Sequence, residues 1–153
     1  MSGETTGAVR LTLRLEGLCV LLAALLVYSK LGLGWGTFAI FFLTPDISFL
    51  GYLGGPRIGA ATYNVAHSYI GAIACVAAGF LLTIPELSCA GIIWCAHIGF
   101  DRALGYGLKY STGFGFTHLG IIGRFAKSAQ SGSQAGLRKS AQPLNSNVRA
   151  FPL

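Results

Sequence analysis

The stretch that decides the fold is IGAATYNVAHSYIGAIACVAAGFLLTI, residues Ile58 to Ile84, which contains no Lys, Arg, Asp or Glu. A transmembrane helix needs about 20 mostly apolar residues, so this run is long enough to cross a bilayer. The whole chain of 153 residues is 53% hydrophobic and 10% charged, whereas soluble domains carry about 25% charged residues. These values indicate an integral membrane protein and argue against a soluble globular domain.

Three further apolar runs have the same character. They lie between Arg14 and Lys30, between Lys30 and Arg57 with an interruption at Pro45-Asp46, and from Leu87 to about Tyr106. Proline followed by a polar residue is typical of a turn or a helix start, which explains the interruption. The sequence therefore predicts an all-α fold, a polytopic transmembrane bundle of four helices over residues 11–106.

The remaining segments are more polar. Residues 1–10 form a predicted N-terminal cytoplasmic segment. The stretch GLKYSTGFGFTHLGIIGRF, within 107–125, mixes aromatic, glycine and basic residues and is too interrupted for a fifth helix. We interpret it as an interfacial or re-entrant segment on the cytoplasmic face. Residues 126–153 have the composition of a flexible basic tail.

The charges are distributed unevenly along the chain, with eleven Lys+Arg against five Asp+Glu and a net charge of +6. If four helices cross the membrane, both termini share one side with most of the basic residues, and only Lys30 and Glu86 lie opposite. The positive-inside rule then places both termini in the cytoplasm and the chain in the cytoplasmic (inner) membrane. The expected partner of the basic residues is the lipid bilayer with its anionic headgroups, not a nucleic acid.

Ionisable residues inside a membrane are costly and by default mark a function or a paired network. At 1.5 Å of rise per residue, His67, His97 and Asp46 lie about 15, 14 and 12 Å from the same end of the bundle. Asp101 is about one turn shallower, and Glu16 lies near the cytoplasmic mouth of the first helix. Four helices therefore each offer a polar group to the cytoplasmic half of the bundle.

Spacing places some of these groups on one helical face. His97 and Asp101 are four residues apart, and Asn64 and His67 are three apart. His118 follows the bundle and could close the site from below. The sequence thus predicts a polar cluster in which His67, His97 and Asp101 hold a divalent metal ion. Glu16, Asp46, Asn64 and His118 are its candidate catalytic members, with Asp46 as an alternative ligand and either Asp46 or Glu16 as a base.

Other interpretations stay open for the same residues. The cluster could be a hydrogen-bonded network that joins helices, with Glu16 and Asp101 paired to Arg14, Arg57 or Arg102. The two histidines could ligate haem or another pigment, or the groups could form a proton or ion path. Asp46 could also cap the half-helix that follows Pro45. The corresponding functions are a metal-dependent enzyme acting on a lipid or other amphiphile, a non-catalytic accessory subunit of a larger membrane complex, or a small transporter.

Small residues recur at four-residue spacing in two places. They are Gly51, Gly55 and Gly59, then Gly99, Ala103 and Gly107. Such stripes allow helices to approach closely in lipid. We interpret them as tight packing within the bundle rather than as a dedicated dimer face.

Four strings in the chain resemble a family of uncharacterised bacterial membrane proteins, a domain of unknown function numbered four-two-six-zero. The strings are LRLEG (13–17), TPDISFLGYLGGPRIGAATYNVAHSY (44–69), IWCAHIGFDRALGYGLKY (93–110) and THLG (117–120). The resemblance covers about Arg14 to Gly120 and implies a four-helix membrane protein with no assigned activity. The family pattern carries the polar residues named above. It also has an acidic residue where this chain has Phe116, so a site that used this acid would be incomplete here.

Overall fold

The computed structural model describes residues 5, 7–31, 34–111 and 116–121. Its elements are α1 (Gly7–Leu31), α2 (Trp35–Phe42), a 3₁₀ helix (Thr44–Gly54), α3 (Pro56–Ala66), α4 (Tyr69–Leu81), α5 (Pro85–Leu104) and the two-residue strands β1 (Phe116–Thr117) and β2 (Gly120–Ile121). The 3₁₀ helix follows α2 after one residue, and α4 follows α3 after two, so the described residues form four helical segments. The predicted all-α fold of four helices is confirmed.

Three of these segments are long and apolar enough to cross a membrane, namely Gly7–Leu31, Trp35–Gly54 and Pro56–Leu81. The fourth, α5, carries Glu86 in its first turn and both Asp101 and Arg102 near its end. It is also the helix with the most buried positions, from Cys89 to Gly99. Three helical segments could therefore cross a membrane, and a crossing by α5 stays a prediction.

The centre of the bundle is α5, and both α1 and α4 pack along it. Glycines make the approach to α1 possible. A Cβ atom on Gly99 would lie 2.7 Å from the Gly17 carbonyl oxygen and 2.8 Å from the Leu21 nitrogen. On the α4 side, a Cβ atom on Gly91 would lie 2.7 Å from the Val76 nitrogen. These small residues act inside the chain, as the stripe containing Gly99 predicts.

The other stripe is used in a different way. Gly51 and Gly59 lie at the contact between the 3₁₀ helix and α3, where added Cβ atoms would meet Thr62 and Tyr52 respectively. Gly55, between them in sequence, has φ +102° and no atom near its missing Cβ. It is the left-handed turn residue that reverses the chain between the two helices. The stripe thus consists of two packing residues on either side of a turn residue and does not form one continuous helix face.

The long apolar run from Ile58 to Ile84 is broken at His67 and Ser68. Ser68 caps the second half, since its hydroxyl accepts a hydrogen bond from the Ile70 amide at 3.3 Å. The indole of Trp94 on α5 donates to the Ala66 carbonyl, which the break leaves without a helical partner. The break frees His67 from regular helix geometry and directs its ring toward α5.

The chain leaves α5 through a left-handed residue, Gly105 with φ 95°, and the Tyr106 amide donates to the Asp101 carbonyl at 2.8 Å. Lys109 then forms an antiparallel bridge with Thr117, beside the hairpin of β1 and β2. The described part of the predicted interfacial segment 107–125 is thus a small hairpin. The rest of that segment, part of the N-terminal segment 1–10 and the whole predicted tail 126–153 lie outside the described residues.

Candidate metal centre

Two buried histidines meet where the broken helix faces α5. His67, at the end of α3, and His97, in the middle of α5, have their Nε2 atoms 3.1 Å apart. Both side chains are almost fully buried, at 3% and 2% exposure. The depths derived from helical rise placed these residues at the same level, and the structure brings their ring nitrogens together.

The second nitrogen of His67 defines the tautomer of its ring. Nδ1 lies 3.0 Å from the Tyr63 backbone carbonyl oxygen, which can only accept a hydrogen bond. Nδ1 of the neutral ring therefore carries the proton, and Nε2 presents its lone pair to the cluster. This is the arrangement of a metal-ligating histidine, whose other nitrogen donates to a carbonyl or a carboxylate.

Two carboxylates face the histidine nitrogens. Asp46, in the first turn of the 3₁₀ helix, has its Oδ1 atom 3.6 Å from Nε2 of both histidines. Asp101 Oδ2 lies 3.5 Å from His67 Nε2 and 4.0 Å from His97 Nε2. Asp101 also accepts a hydrogen bond from the Tyr63 hydroxyl at 3.1 Å. Asp46 therefore faces the cluster, and no side-chain cap is formed at the start of its helix.

The donor atoms of Asp46, His67 and His97 fit a metal ion in distance. From their mutual separations of 3.1, 3.6 and 3.6 Å, the point equidistant from all three lies about 2.0 Å from each atom. Zinc binds histidine nitrogen and carboxylate oxygen at about 2.0–2.2 Å. Asp46, His67 and His97 could therefore hold such an ion through one donor atom each.

The charges of the cluster also suit a divalent cation. Two carboxylates, from Asp46 and Asp101, face His67 Nε2. Asp46 and His67 belong to segments apolar enough to cross a membrane. Charges in that environment need compensation. An ion of charge +2 would balance Asp46 and Asp101 together, with both histidines neutral.

Asn64 lies beside the cluster, but its side chain forms hydrogen bonds to the backbone of Lys109. Its amide donates to the Lys109 carbonyl oxygen at 2.9 Å, and its carbonyl oxygen accepts from the Lys109 amide at 2.7 Å. These two bonds attach the segment after α5 to α3. The structure thus gives Asn64 a positioning contact, one helical turn from His67.

His118 is placed on the hairpin and away from the four donors. Its Nδ1 atom accepts from the Leu108 amide at 2.9 Å, and its Nε2 atom lies 3.3 Å from the Arg102 guanidinium. The Thr5 amide donates to its backbone carbonyl at 2.9 Å. His118 therefore attaches the hairpin to the end of α5 and is not a member of the cluster.

We expect acid to release this hairpin. Burial, and then the positive charge of Arg102, lower the pKa of His118 below its ordinary value. An exposed histidine titrates near pH 6.5, so below that pH the undocked hairpin binds a proton more readily than the docked one. The contribution of His118 to docking is therefore lost as the pH falls below about 6.5. Hydrogen exchange of the Leu108 amide, corrected for intrinsic rates, measures this.

The control for this experiment is His118→Asn, whose side-chain oxygen can accept from Leu108 but does not titrate. Its Leu108 protection should not weaken as the pH falls below about 6.5. Equal protection of the wild-type amide on both sides of pH 6.5 would contradict the assignment.

Glu16 is not brought into the cluster. It is exposed on α1, and the structure shows no hydrogen bond or ion pair of Glu16 within the described residues. The alternative pairing of Glu16 and Asp101 with arginines is also not seen in this part of the chain. Arg14 instead donates to the Ala103 carbonyl at 2.8 Å, and Arg102 contacts His118.

Two further residues, Tyr63 and Lys109, complete the site. Neither is among the site residues that the sequence predicts. The Tyr63 ring stacks on that of His67 at 3.7 Å between centroids, in addition to its bond to Asp101. The Lys109 side chain is buried, and its ammonium lies 4.6 Å from the centre of the Tyr63 ring. Burial lowers the pKa of Lys109 to about 8, against the opposite effect of Asp101. The spacing of Tyr63 one turn before His67 is the signal that could have found it.

Comparison with protein-family models gives a match. The model of a family described as a domain of unknown function (DUF4260) matches residues 10–122, which is most of the chain. No curated protein and no solved structure matches significantly. The matched range includes every residue of the cluster.

Proposed function

The chain belongs to the DUF4260 family, whose function is unknown, and we propose that it is a metal-dependent membrane hydrolase acting on a lipid or other amphiphile. The observation that carries the proposal is the convergence of three donor atoms, from Asp46, His67 and His97, around one point at metal-ligand distance. Two histidines, one carboxylate and an open position form the ligand set of hydrolytic zinc sites.

The residues then have separate roles. A divalent ion held by Asp46, His67 and His97 would supply a water of lowered pKa and would polarise the bond to be cleaved. Asp101, whose Oδ2 atom lies 3.5 Å from His67 Nε2, would be the general base, and the Tyr63 hydroxyl holds its carboxylate in place. The water oxygen would bond to the acyl carbon or the phosphorus of the ester, and the bond from that atom to the leaving oxygen would break. Asp101 would pass the proton taken from the water to the leaving oxygen, so that the net reaction consumes one water.

The same proposal places the site toward the cytoplasm. The contact from Arg14 to the Ala103 carbonyl puts the start of α1 and the end of α5 at one end of the bundle. The opposite end of α1 has Lys30 as its basic residue. With the positive-inside rule, this arrangement supports cytoplasmic termini and an even number of crossings. The proposal is four crossings of the bacterial inner membrane.

The spacing of the two histidines argues against the haem alternative. Axial nitrogens on opposite sides of an iron lie about 4 Å apart, twice a metal–nitrogen bond of about 2 Å, with the porphyrin between them. His67 and His97 are closer, with 3.1 Å between the two Nε2 atoms. They suit adjacent positions on one ion.

A test of the enzyme uses the protein purified in mild detergent with a panel of amphiphilic carboxylic and phosphoric esters. We expect hydrolysis that a chelator abolishes and that added Zn²⁺ or Mn²⁺ restores. Asp101→Asn should reduce the rate by about 100-fold or more, as expected for the loss of a general base, and keep the metal. Glu86→Gln, an exposed carboxylate at the other end of α5, is the matched control. A wild-type rate in Asp101→Asn would contradict the role of Asp101, and chelator-resistant hydrolysis would contradict the metal mechanism.

A further inference from the structure

A mostly apolar cavity of about 280 Å³ adjoins the metal cluster. Two of its lining residues, Pro45 and Ala66, directly precede Asp46 and His67, which are two of the proposed metal ligands. Binding pockets for small molecules are lined mainly by apolar side chains, with a few polar groups that orient the ligand. A molecule in this cavity therefore lies next to the candidate metal centre.

The wall that α5 contributes to the cavity is held in place and leaves free space. The Trp94 indole donates a hydrogen bond to the Ala66 carbonyl, and a Cβ atom on Gly71 would lie 2.7 Å from the ring, so the indole packs closely against α4. Ala90 lies one helical turn before Trp94 and lines the same cavity with only a methyl group. The cavity is thus formed before a ligand arrives, which reduces the entropy cost of binding.

The rim of the cavity lies on a surface that suits lipid. Phe41 lines the cavity and is 49% exposed, and it belongs to Trp35–Gly54, a segment apolar enough to cross a membrane. Ala66 belongs to a second such segment, Pro56–Leu81. At such a surface the surrounding molecules are lipid chains. A cavity of about 150 Å³ accommodates benzene, which has six carbon atoms, so this cavity has space for about ten carbon atoms of one chain.

The Ser48 hydroxyl is a polar group in this cavity that lacks a partner. Its Oγ atom is buried and makes no hydrogen bond within the described residues. The Ser48 carbonyl accepts a hydrogen bond from the Thr62 hydroxyl at 3.1 Å, which attaches this turn of the 3₁₀ helix to α3. Buried hydroxyls are nearly always hydrogen-bonded, so a group of this kind indicates a ligand atom that completes the bond. Ser48 follows Asp46 by two residues, which places that ligand atom near the metal centre.

We propose that this cavity binds the hydrocarbon chain of a fatty ester that enters from the bilayer, with the Ser48 hydroxyl donating to the ester carbonyl oxygen. This inference rests on the proposed hydrolase and names its substrate class. The chain passes Phe41 and packs against Trp94, and the ester lies beside the metal ligands. Ser48 is a binding residue in this account, and the proton transfers stay with Asp101.

The test measures quenching of Trp94 fluorescence by a brominated chain in vesicles of an ether-linked phosphatidylcholine. Trp35→Phe leaves Trp94 as the one tryptophan of the chain. The probe is a methyl ketone of eleven carbon atoms with bromine at mid-chain, which keeps the accepting carbonyl and resists hydrolysis. One hydrogen bond should favour it about tenfold over lipid chains, so quenching should saturate with its midpoint near about 10 mol%. A brominated undecane, which has no carbonyl, should quench in proportion to its content.

Two variants in this background test the hydroxyl and the cavity separately. Ser48→Ala should weaken binding of the ketone about tenfold, to the level of the brominated undecane, whereas Ser29→Ala, at an exposed position of α1, should not change it. Ala90→Phe places six further carbon atoms in the cavity and should abolish saturable quenching. Ala77→Phe, at an exposed position of α4, is its matched control and should bind as the parent does. Circular dichroism shows whether each variant is folded.

Quenching by the ketone that never saturates would overturn the inference, and so would parental binding in a folded Ala90→Phe variant. Parental binding in Ser48→Ala would overturn the role of the hydroxyl. The readout requires no metal, so His97→Ala should bind the ketone as the parent does. A protein that binds the ketone but no metal contradicts the proposed function alone, whereas a metal-dependent hydrolase without saturable quenching contradicts this inference alone.

Discussion

Replacing His97 with alanine is expected to abolish stoichiometric metal binding. His97 supplies one of three donor atoms that lie about 2.0 Å from a common point. Loss of a residue that only orients a ligand costs 10–100-fold in metal affinity, so loss of a ligand should cost about 100-fold or more. Elemental analysis after dialysis against a zinc buffer measures the content, and titration with a fluorescent chelator measures the affinity.

A matched control for this experiment removes a histidine that lies outside the cluster. His118→Asn changes an imidazole on the hairpin and should keep one metal ion per chain. Circular dichroism and gel filtration show whether each variant keeps its helical fold. A folded His97→Ala protein that binds zinc with wild-type affinity would rule out the proposed ligand set.

Replacing Gly99 with leucine is expected to separate α1 from α5 and destabilise the bundle. A Cβ atom at this position would lie 2.7 Å from the Gly17 carbonyl oxygen and 2.8 Å from the Leu21 nitrogen. Both are backbone atoms, so α1 as a whole must move. Overpacking of a well-filled core costs about 1–3 kcal/mol and occasionally more, and we expect about 3 kcal/mol here. Denaturant unfolding in detergent, followed by circular dichroism, measures the change.

The control is Gly36→Ala in α2, where an added Cβ atom has open space. A glycine in a helix is less favourable than alanine by roughly 0.5–1 kcal/mol, so this variant should be slightly stabilised. If Gly99→Leu unfolds at the wild-type denaturant concentration, α1 and α5 are not in the close contact described here.

Hydropathy and helical rise predicted much of this structure. The apolar runs predicted the helical segments, because length and polarity alone determine what a bilayer accepts. The depths calculated from helical rise per residue placed Asp46, His67 and His97 at nearly the same depth in the bundle. The break at His67 was not predicted, since neither His67 nor Ser68 interrupts the run with a charge. The sequence signal of the break is Ser68 as a helix N-cap, but a serine is also compatible with a position inside a helix.

The side of each helix on which a residue lies was harder to predict. Glu16 has a suitable depth along α1, but the rotation of this helix about its own axis places the side chain on the exposed face. That rotation depends on how Gly17 packs against Gly99, a contact between residues distant in sequence. Lys109 was predicted only as a cytoplasmic charge, because its burial depends on Asn64 and on the hairpin.

The most direct test of the metal centre is X-ray absorption at the metal edge of the wild-type protein purified in mild detergent. The proposed site predicts one divalent ion per chain with two imidazole ligands and one carboxylate at about 2.0–2.2 Å. A protein that binds no ion after zinc is supplied, or an ion without imidazole scattering, would contradict the central claim. The His67–His97 pair would then be a hydrogen-bonded contact that joins α3 to α5.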